Sequence, residues 1–196
     1  MNQTKKKRIL MITESAIMLA LATALSMVTF FRLPAGGSVT PFSMLPVLII
    51  AYRYGTKWGF LVGGVYGLIQ MVLGLSALSY ATNALAVICI ILFDYIVAFG
   101  VLGFGGLFRK VKLQPLGFTL GVIVACVLRF LCHFITGITV WADYAEGIWP
   151  VIIYSLSYNG SYMLPELVIT AVVGSVLMSF LDFKDEKLRP LRKTKG

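Results

Sequence analysis

The strongest constraint on this chain is a succession of apolar runs about 20 residues long, separated by short clusters of basic residues. Helices of that length cross the hydrocarbon core of a bilayer, where the backbone must satisfy its own hydrogen bonds. The 196 residues are 59% hydrophobic, and the mean hydropathy of +0.90 is far above that of a soluble domain. The expected fold is one all-α polytopic membrane domain over residues 1–196. Six transmembrane helices are predicted at approximately 9–31, 41–52, 57–75, 84–108, 115–141 and 150–181.

The formal charge of +9 is not read as a nucleic-acid footprint, because of where the cations fall. Lys5, Lys6, Lys7 and Arg8 precede the first span, Arg53 and Lys57 lie between the second and third, and Arg109, Lys110 and Lys112 between the fourth and fifth. Lys184, Lys187, Arg189, Arg192, Lys193 and Lys195 follow the last. With six spans these all lie on one side. An excess of Lys and Arg marks the cytoplasmic face, so both termini are expected in the cytoplasm. Only Arg32 and Arg129 stand apart, and the opposite loops carry Asp143 and Glu146. A sheet of basic groups also favours anionic headgroups of the lipid bilayer. The basic start followed by an apolar run resembles a signal peptide, but the spans continue, so it is read as span one. Cys89, Cys126 and Cys132 lie in apolar spans without a metal-ligand spacing and read as small buried hydrophobes.

Small residues mark close helix contacts. Gly59, Gly63 and Gly67 recur every four residues in span three, and Gly117 and Gly121 do so in span five. Gly103, Gly105 and Gly106 lack the strand-to-helix context and lysine of a phosphate loop, and are read as packing glycines. Ala16, Ala20 and Ala24 form a similar stripe on span one, suited either to packing inside the bundle or to docking another subunit. Span two is short and contains Pro46, so it should be tilted or irregular and shielded from lipid by protein. Span six is longer than one crossing requires, with Asn159-Gly160 and Pro165 as candidate bends. Glu14 lies near the inner interface and suggests no role.

The polar residues within the spans carry the functional signal. Arg129, His133, Gly137 and Trp141 follow at four-residue steps, hence on one slowly drifting helix stripe. Ionisable groups on such a stripe are costly against lipid and should face the interior or a watery cavity. Trp141 would equally serve as an interfacial anchor. Asp94, beside Tyr95, falls near mid-membrane; it is either a structural partner of Arg129 or a cavity carboxylate. Tyr154, Tyr158, Asn159 and Tyr162 add rings and hydrogen-bonding groups, with Tyr80 in the second outer loop and Gln70 on span three. Gly36-Gly37 in the first outer loop either form a simple turn or let backbone approach a ligand. Glu166 is ambiguous between structure and site. An acid among aromatic faces suits a flat cationic ligand, through charge and cation–π attraction. Enzyme chemistry is disfavoured: there is one histidine, no HExxH, no GxSxG context for the serines near it, and no Walker motif.

The segments PAGGSVT (34–40), DYIVAFG (94–100), RFLCHFITG (129–137) and YSLSYNGSYMLPE (154–166) resemble the thiamine-specific substrate-binding component, ThiT type, of energy-coupling factor (ECF) transporters. The resemblance covers essentially the whole chain. It implies a plasma-membrane thiamine-binding subunit of a Gram-positive bacterium, working with a transmembrane coupling protein and two cytosolic ATPases. It places ligand-binding roles on Asp94, Tyr95, His133, Trp141, Tyr154 and Asn159, and partner docking on Ala16, Ala20 and Ala24. Some members carry Glu where this chain has the shorter Asp94. No cofactor is implied, only the ligand thiamine. Another vitamin, a thiamine precursor, or a stand-alone secondary carrier are the alternatives.

Overall fold

The computed structural model describes residues 2–33, 37–140, 147–184 and 189–190. The bundle consists of α1 (Gln3–Ser26), α2 (Leu45–Tyr54), α3 (Thr56–Leu73), α4 (Ala84–Gly106), α5 (Gln114–Thr139) and α6 (Ile148–Phe180). Four of these, α1, α4, α5 and α6, are long and apolar enough to cross a membrane. Two short antiparallel ribbons complete the described elements. In the first, β1 (Phe31–Arg32) pairs with β2 (Ser38–Val39), Phe31 opposite Val39; in the second, β3 (Leu181–Asp182) pairs with β4 (Arg189–Pro190).

The first helix begins and ends earlier than the hydropathy pattern suggests. Lys and Arg are good helix formers and carry α1 back to Gln3. At its other end the Met27 and Val28 amides bond three residues back, to Ala24 and Leu25, and the chain leaves the helix for β1. The second helix starts at Leu45, because residues 41–44 form a turn in which the Leu45 amide bonds the Phe42 carbonyl. Pro46 then falls in the first helical turn, where a missing N–H leaves nothing unsatisfied. Every residue from Leu45 to Arg53 is buried, so α2 is shielded from lipid by its neighbours. Gly55, at φ 96°, makes the sharp turn into α3.

Arg53 is not a loop cation. Its Nε lies 2.6 Å from Glu14 Oε2 and its Nη2 3.1 Å from Glu14 Oε1, while Nη1 donates to the Phe183 carbonyl at 3.3 Å. Glu14 also accepts from the Tyr54 hydroxyl at 2.5 Å. The carboxylate therefore has a structural role, tying α1 to α2.

Backbone contact replaces side-chain packing between α3 and α4. A Cβ on Gly63 would overlap the Phe99 carbonyl, one on Gly67 the Tyr95 carbonyl, and one on Gly103 the Phe60 amide. Gly121 of α5 meets Gly105 of α4 in the same way. The fourth helix is composite: an α-turn Ala84–Cys89, a π-turn Ile90–Ile96, an α-turn Val97–Gly100 and a 3₁₀ segment Val101–Gly106. Asn83 caps it, its Oδ1 accepting the Ala86 amide at 2.9 Å. The largest interface joins α5 and α6. The latter runs unbroken through both expected bend points, Asn159-Gly160 and Pro165, for 33 residues.

Candidate functional site

One end of the bundle encloses a cavity of about 680 Å³, walled by α3, α4, α5, α6, the β2 segment and the 3₁₀ segment Leu75–Tyr80. That is the size of a small-molecule site. Asp94, Tyr95, His133, Gly137, Tyr154, Asn159, Tyr80, Gln70 and Gly37 all line it. Four-residue spacing thus brings Arg129, His133 and Gly137 to one wall, as expected from the stripe. Trp141 and Gly36 lie outside the described residues.

The π-turn carries Asp94 into the cavity. His133 Nδ1 lies 2.9 Å from Asp94 Oδ1, and the Thr136 hydroxyl donates to the same oxygen. An ionised carboxylate only accepts, so toward it Nδ1 is the donor. Among the described residues, no hydrogen bond falls on Asp94 Oδ2, and the buried His133 Nε2 finds no partner. Thr136, wholly buried, was not singled out from the sequence. Its signal is its position three residues after His133, on the same helix face.

Arg129 does not pair with Asp94, correcting that structural alternative. Its Nη1 lies 3.3 Å from Glu166 Oε2 and 2.8 Å from Met44 Sδ, and its guanidinium sits 4.6 Å above the Phe99 ring. It is one turn away from His133 along α5, level with Glu166 rather than with the π-turn.

Facing this wall, Tyr154, Tyr158, Tyr162 and Glu166 recur at four-residue steps on α6. Tyr154 stacks on Tyr158 with centroids 5.7 Å apart. Tyr158 meets Tyr162 edge-on at 5.9 Å, and Tyr162 meets the His133 ring edge-on at 6.4 Å. Asn159 lines the cavity but its amide is engaged: Nδ2 donates to the Ser155 carbonyl at 2.9 Å, and Oδ1 accepts from the Tyr162 hydroxyl at 2.8 Å. Tyr95 likewise donates its hydroxyl to the Gly74 carbonyl at 2.9 Å, fixing α4 to the end of α3. Gly137 is a packing position as well as a lining one, since a Cβ there would overlap Ser155 Oγ. The Gly37 amide donates to the Tyr158 hydroxyl at 2.8 Å. Tyr80 is 44% exposed at the rim.

Ala16, Ala20 and Ala24 are all exposed on α1. Packing inside this bundle is therefore not what the stripe does. Among the described residues, no group of three His, Cys, Asp or Glu side chains is placed to hold a metal ion.

Membrane-length helices around a chamber of small-molecule size, with a fixed carboxylate and a ladder of rings, mark a multi-pass membrane protein. Residues 12–184 match the family described as thiamine transporter protein (Thia_YuaJ). The thiamine transporter ThiT of Bacillus subtilis (strain 168) is 35% identical over 189 residues, covering 90% of this chain and 93% of that protein. Its namesake from Lacticaseibacillus paracasei is 30% identical over 185 residues, covering 88% and 89%. The solved structure of ThiT from Listeria monocytogenes shares the fold, with a TM-score of 0.72 at 24% identity over 88% of this chain and 94% of that one. This chain belongs to the thiamine transporter protein family.

Proposed function

We propose that this chain captures thiamine from outside the cell, with high affinity, as the membrane-embedded binding subunit of an ECF-type, ATP-driven vitamin importer. The observation that carries the reading is Asp94, held by His133 and Thr136 in a chamber walled by tyrosine rings, in a chain whose relatives are named for thiamine transport. Thiamine joins a planar aminopyrimidine to a cationic thiazolium. Rings attract such a cation through their faces, and a carboxylate in a half-enclosed site balances its charge. With Oδ1 engaged by His133 and Thr136, Asp94 Oδ2 accepts from the aminopyrimidine or faces the thiazolium. Tyr154, His133 and Trp141 supply stacking surface, and Asn159 and Tyr95 shape the wall beside it.

In this reading six segments span the membrane, with both termini cytoplasmic, as the one-sided distribution of Lys and Arg supports. The exposed Ala16, Ala20 and Ala24 stripe is where the transmembrane coupling protein docks, and two cytosolic ATPases drive transport. The host is a Gram-positive bacterium.

The test is a thiamine titration of the purified protein in detergent, following tryptophan fluorescence. Saturable quenching at submicromolar ligand and a stoichiometry near one is expected. No quenching, together with no thiamine released on denaturation, would remove thiamine as the ligand. In vesicles carrying the ATPase module, Ala20→Trp should abolish uptake while leaving binding intact. Loss of both would assign the stripe to bundle stability.

A further inference from the structure

Along one stripe of α6, three residues hold the segment Gly37–Ser43, which leads from β2 into α2. Tyr158 accepts the Gly37 amide at 2.8 Å. Val39 packs with Tyr162 and Met163. Glu166 takes Thr40. From Gly37 to Thr40 three residues of extended chain advance about 10 Å, and from Tyr158 to Glu166 eight residues of helix advance about 12 Å, so the two runs keep pace. The segment therefore lies along α6 like a strap, with Gly37, Ser38, Thr40 and Ser43 against the cavity.

The third contact differs in kind from the other two. Glu166 Oε1 accepts both the Thr40 amide and the Thr40 hydroxyl, each at 2.8 Å, and Ser43 Oγ lies 2.9 Å from that hydroxyl. Oε2 faces Arg129 Nη1 at 3.3 Å. The Glu166 side chain is only 3% exposed. A carboxylate so buried is costly unless both charge and hydrogen bonds are met. Arg129 meets the charge and Thr40 supplies the donors. Hydrogen bonds to an ionised acceptor are about twice as strong as neutral ones, so this is the firmest of the three holds. Arg129 stands one turn from His133 on α5, so the strap and the Asp94-facing imidazole are referenced to the same helix.

We infer that Glu166, charge-balanced by Arg129, is a positioning residue that fixes the Gly37–Ser43 strap against the cavity through Thr40, and that this tie sets how long a bound ligand stays. The inference rests on thiamine occupying the cavity, and its test separates the two. Thr40→Val removes the hydroxyl donor but keeps the side chain's shape, its amide, and the Asp94, His133 and tyrosine groups of the cavity. In stopped-flow tryptophan fluorescence on the full chain, thiamine should leave Thr40→Val about tenfold faster while associating within about twofold of the unmodified rate. Thr40→Ser should restore the slow release. Unchanged release from Thr40→Val, or fast release from Thr40→Ser, overturns the inference. So does a ligand-free melting temperature that falls in step with the rate, because the tie would then only hold the fold. If the unmodified protein gives no thiamine signal and releases no thiamine on denaturation, the functional reading fails, and hydrogen exchange in the ligand-free chain judges the tie. Strap amides exchanging about tenfold faster in Thr40→Val than in Thr40→Ser support it, and equal rates overturn it.

Discussion

The two halves of α4 depart from regular helix geometry in opposite senses. Its cavity half widens into the π-turn Ile90–Ile96, which carries Asp94 and Tyr95. Its packed half tightens into the 3₁₀ segment Val101–Gly106, which carries Gly103, Gly105 and Gly106. The wide turn opens a carboxylate to a chamber, the usual setting for a π-bulge at a functional site. The tight segment lies against α2 and α3 so closely that a Cβ at any of its three glycines would overlap a neighbour. One helix thus supplies both a site and its foundation. The foundation holds by steric fit, the site by charge and hydrogen bonding.

That contrast can be broken most severely at the packed side. In Gly63→Leu the added side chain would meet the Phe99 carbonyl and Gly100, which are backbone and cannot rotate away. Overpacking costs about 1–3 kcal/mol even where neighbours are flexible, and more against backbone. We expect no monodisperse protein by size-exclusion chromatography. A native elution profile would mean that α3 and α4 can separate without loss of the fold.

In the cavity half the expected effect is smaller and confined to the ligand. Asp94→Asn keeps shape and one acceptor oxygen but loses the charge. Thiamine affinity should fall by more than about tenfold by isothermal titration, with the ligand-free melting temperature little changed. Unchanged affinity would remove Asp94 from the site. The smallest effect on binding belongs to the Glu14–Arg53 pair, which lies away from the cavity. Glu14→Gln breaks the Arg53 ion pair while Arg53 keeps the Phe183 carbonyl. Stability in thermal unfolding should drop by about 1–3 kcal/mol, with affinity unchanged within about twofold. An affinity loss as large as that of Asp94→Asn would erase the distinction between site and foundation.

Much of the foundation was legible from spacing alone. Gly59, Gly63, Gly67, Gly117 and Gly121 pack as four-residue repeats of small residues should. The step from Arg129 to His133 to Gly137 correctly put three residues on one wall. Partner choice was not legible. Arg129 had two carboxylates within reach of a sequence argument, Asp94 and Glu166, and only the relative height of α4 and α6 selects between them. Glu14 and Arg53 are 39 residues apart, on helices whose rotation hydropathy does not determine. The π-turn has no compositional signature, since Ile90–Ile96 reads as ordinary apolar helix. The four-residue ladder Tyr154, Tyr158, Tyr162, Glu166 offers rings and hydrogen-bonding groups from the sequence, but the part Glu166 plays in it depends on a strap lying along the helix.

The brevity of α2 has a consequence for biogenesis. Its 10 residues extend about 15 Å, half of a hydrocarbon core of about 30 Å. Left in lipid on its own, such a piece would expose unbonded backbone at both ends, at several kcal/mol per group. It cannot therefore be released into the bilayer as an independent span. It must be covered by its main neighbours, α1, α3 and α4, and the Thr40 strap is drawn in with it. Seating α2 therefore also closes the wall of the ligand chamber, so a chain that stalls before that step would stall with its chamber open.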